Sequence, residues 1–165
     1  MRDLVAGLVA LGLVAAALSL ATTLHVWRRR RQRAHDAERA LGRAIVAEIP
    51  AGDELTLFSE DQTRFYYGDR AVDKDLIAAA RVLINGSPIA AVVSTRHARD
   101  AEQHPTSFED RPEGIARDRW DVAIETTGGT VLVECGAIRE RISQQLARAV
   151  FDAVTREVER RNEAT

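Results

Sequence analysis

With a single cysteine, Cys135, the chain can form no intrachain disulfide. The fold must be held by non-covalent contacts, and the scarcity fits a reducing compartment. No phosphate-binding loop, nucleophile elbow or zincin signature occurs in the sequence. Large apolar residues are sparse between Arg96 and Arg119, and Gly and Pro are missing between Ile138 and Arg161. The most consequential absence is of charge. From Leu4 to Trp27 the chain reads LVAGLVALGLVAAALSLATTLHVW, 24 residues without Asp, Glu, Lys or Arg.

That length matches the roughly 20 apolar residues that a helix needs to cross a bilayer. The stretch stops at Arg28-Arg29-Arg30-Arg31-Gln32-Arg33. A secretory signal carries a basic leader and an apolar core of roughly 7–15 residues. Here Asp3 offsets Arg2 in the leader and the core is longer. Both features favour a retained transmembrane helix over residues 4–27, after a short tail at 1–3. The small residues Ala15, Ala16, Ala17 and Ala21 keep a cleaved signal as the alternative. Positive residues near a membrane end stay on the cytoplasmic side. Arg28, Arg29, Arg30, Arg31 and Arg33 therefore predict a single-pass protein of the cell membrane, N-terminus outside and C-terminal domain cytoplasmic. These arginines set topology first. Contact with anionic lipid through Arg28–Arg33 is a second role, at about 1 kcal/mol per basic residue. Gly12/Ala16 and Ala17/Ala21 are small-xxx-small pairs, which in so Ala-rich a helix arise by chance.

Residues 34–165 carry 17 Lys and Arg against 24 Asp and Glu, a net of −7 behind a +5 collar. An acidic domain argues against nucleic acid as a partner. The 132 residues suffice for one domain with a real core.

Residues 34–49 read as a juxtamembrane helix, with Leu41 and Ile45 at i, i+4, ended by Pro50 and Gly52. The soluble domain follows over 50–161, with a tail at 162–165. Leu55, Leu57, Phe65 and Tyr67 alternate with polar residues around Ser59-Glu60-Asp61-Gln62, which predicts two short strands and a tight turn. Residues 77–84 read as a strand, with a helical first turn after Asp73 as the alternative. Asn85-Gly86 is a hairpin signal, and Ile89–Val93 the partner strand. Residues 96–119 read as a mobile loop, because so long a segment without a core pattern is functional or mobile. Trp120, Val122 and Ile124 face Val131, Val133 and Cys135 in the clearest hairpin. Ile138, Ile142, Leu146, Ala149, Val150, Ala153 and Val158 trace one stripe of a long amphipathic helix that should close the sheet.

The predicted class is α+β: an N-terminal transmembrane helix, then a small antiparallel β-sheet domain closed by a C-terminal helix. Over residues 54–160 the order of elements resembles a pleckstrin-homology-like half-barrel. No residue motif accompanies the likeness, and no lipid-binding role comes with it.

Candidate chemistry is thin. Cys135 as a nucleophile would need a lowered pKa from a His or a helix N-terminus. Its alternation with Val131 and Val133 makes it a small buried apolar residue instead. His97 and His104, near Asp100, Glu102 and Glu109, match no tight metal-ligand spacing. The acidic pairs Asp53-Glu54, Glu60-Asp61 and Glu109-Asp110 fall at turns. No catalytic, cofactor or metal residue is assigned. The expected function is a membrane-anchored interaction or regulatory module with a protein partner. The alternatives are a membrane-tethered enzyme with its site near 96–119, and a secreted or periplasmic domain.

Overall fold

A computed structural model describes residues 2–51, 54–97 and 118–164. Its contacts divide the chain into two units, Met1–Leu41 and Gly42–Thr165.

The first unit is one helix, α1 (Arg2–Ala40). It is long and apolar enough to cross a membrane, a property that a signal sequence near an N-terminus shares. The 24 uncharged residues extend about 36 Å at 1.5 Å per residue, against a hydrocarbon core of about 30 Å. Leu11, Leu13, Leu18 and Leu20 are 62–70% exposed. The hydroxyls of Thr22 and Thr23 donate to the Ser19 carbonyl at 2.8 and 2.9 Å, so these polar groups are satisfied within the helix. The backbone N–H of Leu41 closes the last turn onto Ala37 and Glu38, and Gly42 follows at φ +73°. Glycine after a helix end takes that conformation without the Cβ clash of other residues.

The helix therefore ends at Ala40, and the expected juxtamembrane helix over 34–49 is corrected in its second half. Residues Ala44–Ala51 form strand β1. Ile45, Val46 and Ile49 are β-branched and favour a pleated strand. Pro50 does not end a helix; it lies in β1, at the sheet edge, where a missing N–H is tolerated.

In the second unit, β1 is followed by β2 (Glu54–Glu60), β3 (Arg64–Tyr67) and β4 (Arg70–Asp73), a four-stranded antiparallel meander. The Asp73 carboxylate accepts from the Asp75 N–H and caps a 3-10 turn at Lys74–Leu76. Then come β5 (Ile77–Ile84), β6 (Ser87–Val93), β7 (Arg119–Thr126) and β8 (Gly129–Ala137). They form a second antiparallel sheet in the order β6-β5-β7-β8. The strand expected at 77–84 and its helical first turn are thus both present, end to end. Asn85 and Gly86 take φ +52° and +83°, the hairpin geometry that their pair predicts. Helix α2 (Arg141–Glu163) closes the unit and packs on β1, β5, β7 and β8. Asn162 and Glu163 belong to this helix rather than to a tail. Residues 98–117, most of the expected loop, lie outside the described residues.

One core joins both sheets and α2. Ile49, Phe58, Phe65, Val122, Ile124, Val133, Val150 and Val154 are its largest fully buried members. Phe58 and Phe65 stack at 5.5 Å between ring centroids. The buried face of α2 is Ser143, Ala147, Val150, Ala153, Val154 and Val158. The stripe read from sequence is turned by part of a helical step. Ile138 precedes the helix, Leu146 is half-buried and Ile142 is 65% exposed.

The start of α2 explains that rotation. Trp120 faces Gly136 and Asp121 faces Glu134, so β8 carries a bulge at Cys135. Gly136 takes φ +111°, and a Cβ there would lie 2.5 Å from Ser143 Oγ. Helix and strand approach through these two small residues. Gly136→Ala is expected to cost about 3 kcal/mol or more, combining backbone strain with overpacking. Urea denaturation would measure it, and adding Ser143→Gly should recover the overpacking part. An unchanged midpoint for Gly136→Ala would show that the bulge relaxes freely.

Candidate functional site

Arg28, Arg29, Arg30, Arg31 and Arg33, which the sequence marks as candidate topology signals, all lie on α1 and are exposed. At about 100° per residue they point around the whole circumference of the helix. They form a ring rather than one phosphate-gripping face. Arg31 reaches back over the Trp27 ring, 5.6 Å from its centroid. Arg28, Arg31, Gln32, His35, Asp36 and Arg39 border a shallow depression on one side. Its lining mixes basic groups with Asp36.

Cys135 is fully buried, and its thiol donates to the Val133 carbonyl at 3.6 Å. Burial pushes its pKa up to about 12, helped by the nearby Asp121 charge. It stays protonated at neutral pH, so thiolate chemistry is closed to it. His97 Nε2 lies 3.0 Å from the Asp75 carbonyl. His104, Asp100, Glu102 and Glu109 lie outside the described residues, as do Asp53 and Asp110. Among the described residues no group of three or more His, Cys, Asp or Glu could hold a metal ion.

Asp61 and Glu60 are turn residues with structural partners. Asp61 accepts from Tyr66 Oη at 2.7 Å, from the N–H groups of Thr63 and Arg64 at 2.7 Å, and from the Thr63 hydroxyl at 3.0 Å. The Tyr66 bond first, then the Thr63 N–H, hold its carboxyl well below the usual carboxylate range. Glu60 accepts from Lys74 Nζ at 2.8 Å. Lys74 is the chain's one lysine and is 5% exposed. It also donates to the Asp61 carbonyl at 2.7 Å, and its ammonium lies 3.9 Å from Glu157 on α2. Its place over the Phe65 ring, 4.5 Å from the centroid, completes the enclosure.

The second sheet holds further charge in its interior. Asp121 and Glu125 on β7 are buried, paired with Arg119 and Arg81 at 2.8 Å each. Arg119 also reaches Glu134 at 2.9 Å. Val122 and Ile124 belong to the core, so strand alternation turns Asp121 and Glu125 to the opposite face. These pairs were not legible beforehand, since Asp121 and Glu125 read as the polar half of an ordinary alternation.

Where β6 meets α2 there is an apolar groove of about 270 Å³, lined by Val82, Ile89, Ala90, Trp120, Ala147 and Phe151, with Gln144, Arg148 and Asp152 along the helix side. Sequence reasoning missed it, because each half belongs to a different element. Comparison with known proteins finds no matching family model, no matching curated protein and no matching solved structure.

Proposed function

We propose that the chain is a single-pass protein of the cell membrane, whose Gly42–Thr165 unit works on the cytoplasmic side as an interaction or regulatory module. The observation that supports this reading is the charge layout of α1. One continuous helix carries 24 uncharged residues and then five arginines distributed around its circumference. A ring of guanidinium groups at one end suits the headgroup layer, and by the charge rule it belongs on the cytoplasmic side. In this reading residues 4–27 contact the bilayer, Arg28–Arg33 contact anionic lipid heads, and the acidic domain takes a protein partner. The buried, protonated Cys135 removes the one nucleophile that the sequence suggested, which supports interaction over catalysis. A pleckstrin-homology-like order stays part of this proposal for the Gly42–Thr165 unit, and the opening meander and closing helix support it. The double partnership of β5 departs from a continuous meander.

Replacing Arg28, Arg29, Arg30, Arg31 and Arg33 by neutral residues is expected to randomise or reverse insertion. Acidic residues contribute little to orientation, so the −7 of the domain should not hold it inside. Asp69→Cys in a Cys135→Ala background places one thiol on an exposed turn. In intact cells an impermeant thiol reagent should leave this parent unlabelled and label the neutralised variant at least in part. Full labelling of the parent in sealed cells would overturn the cytoplasmic assignment. A mature N-terminus beyond residue 20, read by mass spectrometry, would replace the anchor by a cleaved signal.

A further inference from the structure

We propose that the side-chain amide of Asn162, on the last turn of α2, serves as a one-residue surrogate strand that closes the edge of β6 and keeps the domain from adding a further strand there. β6 lies at the edge of its sheet and pairs with β5 on one side. Its seven residues, Ser87–Val93, carry no charge, and Ile89 and Val93 are 55% and 42% exposed. An apolar edge with open N–H and C=O groups is a template for another strand, and proteins blunt such edges with charge, proline, bulges or a covering element. Charge is not the device used on this strand. Its beginning carries two of the others. Pro88 has no N–H to offer. The register Val82↔Ala90 followed by Leu83↔Pro88 leaves Ile89 as the extra residue, so a bulge sits on β6 next to that proline.

The far end of the strand is closed by a different element. The Ser94 N–H donates to the Ala78 carbonyl of β5 at 2.8 Å, so Ser94 turns its backbone groups inward to the sheet. Along a strand these groups alternate from side to side. The Val93 carbonyl and the Thr95 N–H therefore point outward from the edge, and they are the two groups that Asn162 takes. Its Nδ2 donates to the Val93 carbonyl at 3.2 Å, and its Oδ1 accepts from the Thr95 N–H at 2.9 Å and from the Thr95 hydroxyl at 3.0 Å. In parallel pairing a residue donates to the carbonyl before, and accepts from the N–H after, the residue that it faces. The carboxamide reproduces that pattern opposite Ser94. It needs a donor and an acceptor on one side chain, which Asn supplies and Asp or Leu does not. The helix holds the amide in place. Arg161, one residue earlier, pairs with Asp75 at 3.0 Å, and Val158, one turn back, is buried in the core. Between the two closures lies the stretch Ala90–Val92, about 10 Å of strand at roughly 3.3 Å per residue, where usual strands run to about five or six residues. The inference does not depend on the membrane reading, since it concerns the Gly42–Thr165 unit by itself.

Amide hydrogen exchange and sedimentation of the full chain in detergent test it. In wild type the Thr95 N–H should exchange at least about tenfold more slowly than an unprotected amide, because the Asn162 side chain stands in for a strand. Asn162→Ala should remove that protection and leave exchange at Val122 and Ile124, in the core, unchanged. In the same detergent it should also self-associate about tenfold or more tightly than wild type, since the edge at Val93–Thr95 is then open. Adding Ala91→Lys should return sedimentation to that of wild type, because a charge in the middle of the edge repels a further strand. Ala91 is exposed and Asn162 half-buried, and circular dichroism should match wild type for both variants. A Thr95 amide that exchanges freely in wild type overturns the proposal, and that measurement decides even where a replacement disturbs α2. A folded Asn162→Ala that sediments as wild type overturns it too. So does self-association that survives Ala91→Lys, which would place the contact away from β6.

Discussion

Val150→Asp is expected to leave no cooperative unfolding transition, while Ile142→Asp should melt within a few degrees of wild type. The two positions lie on one helix and on the same stripe when only the sequence is read. Val150 is fully buried within the core that joins α2 to both sheets. Replacing it forfeits about 1.5–3 kcal/mol of apolar burial. It also forces a carboxylate into surroundings made of Val, Ile and Phe side chains, which costs several kcal/mol more. The sum, about 5 kcal/mol or more, is comparable to the entire stability of a typical domain. Ile142 is 65% exposed at the first turn of α2, where a carboxylate meets water and favours the helix N-terminus. Thermal melting followed by circular dichroism separates the outcomes. A cooperative Val150→Asp melt close to that of wild type would mean that α2 is not seated on the sheets as described.

Lys74→Met is expected to destabilise the domain by about 3 kcal/mol, the lower end for removing one partner of a buried ion pair because Glu60 retains some access to water. Methionine keeps the apolar contact with Phe65, so the loss isolates the charge. Glu60 on β2, the Asp61 carbonyl and Glu157 on α2 converge on this one ammonium. Without it two carboxylates are left close to the core. Adding Glu60→Gln should restore part of the loss. Because Lys74 is the chain's one lysine, amine-reactive labelling offers a second readout. Folded wild type should label at the N-terminus and be protected at Lys74 until it unfolds.

The same cluster sets the acid response. Burial would raise the Glu157 carboxyl, but the hydrogen bond from Arg160 and the charges of Arg161, Lys74 and Arg160 outweigh it and lower the pKa. Asp61 is lowered as well, by Tyr66 and Thr63 first. A carboxylate with a depressed folded-state pKa contributes stability above its unfolded pKa and loses it as pH falls. The melting temperature should therefore drop as pH is lowered through about 4.5 and below, the ordinary carboxylate range. Lys74→Met should show a shallower drop. An acid limb equally steep in both proteins would show that Lys74 does not contribute to the shift at Glu157.

What could be read from the chain without coordinates was local. The uncharged run at 4–27 and the arginines after it define an apolar helix with a basic end, because charge and helix length act on consecutive residues. The turns at Asn85-Gly86 and Thr127-Gly128-Gly129, the strands around them and the long C-terminal helix follow from turn chemistry and from periods of 2 and 3.6. Every one of those signals lies within a dozen residues, and the α+β class follows from their order. Tertiary structure decided the rest. Residues 44–49 satisfy a helical spacing and a strand alternation alike, and β2 alongside settles the choice by pairing with β1. The face of α2 was set by the Gly136–Ser143 approach, since a helix of 23 residues can turn by part of a step and still present apolar side chains. In the sequence Lys74 stands between two aspartates, Asp73 and Asp75, in no recognisable pattern. It became the meeting point of three elements because β2 and α2, 14 residues before it and 83 after it, bring carboxylates to the same spot. Pairing across such distances leaves no trace in a local pattern. That is why the apolar N-terminal helix and the elements were legible in the residues, while the clamp at Lys74 and the groove at β6 were not.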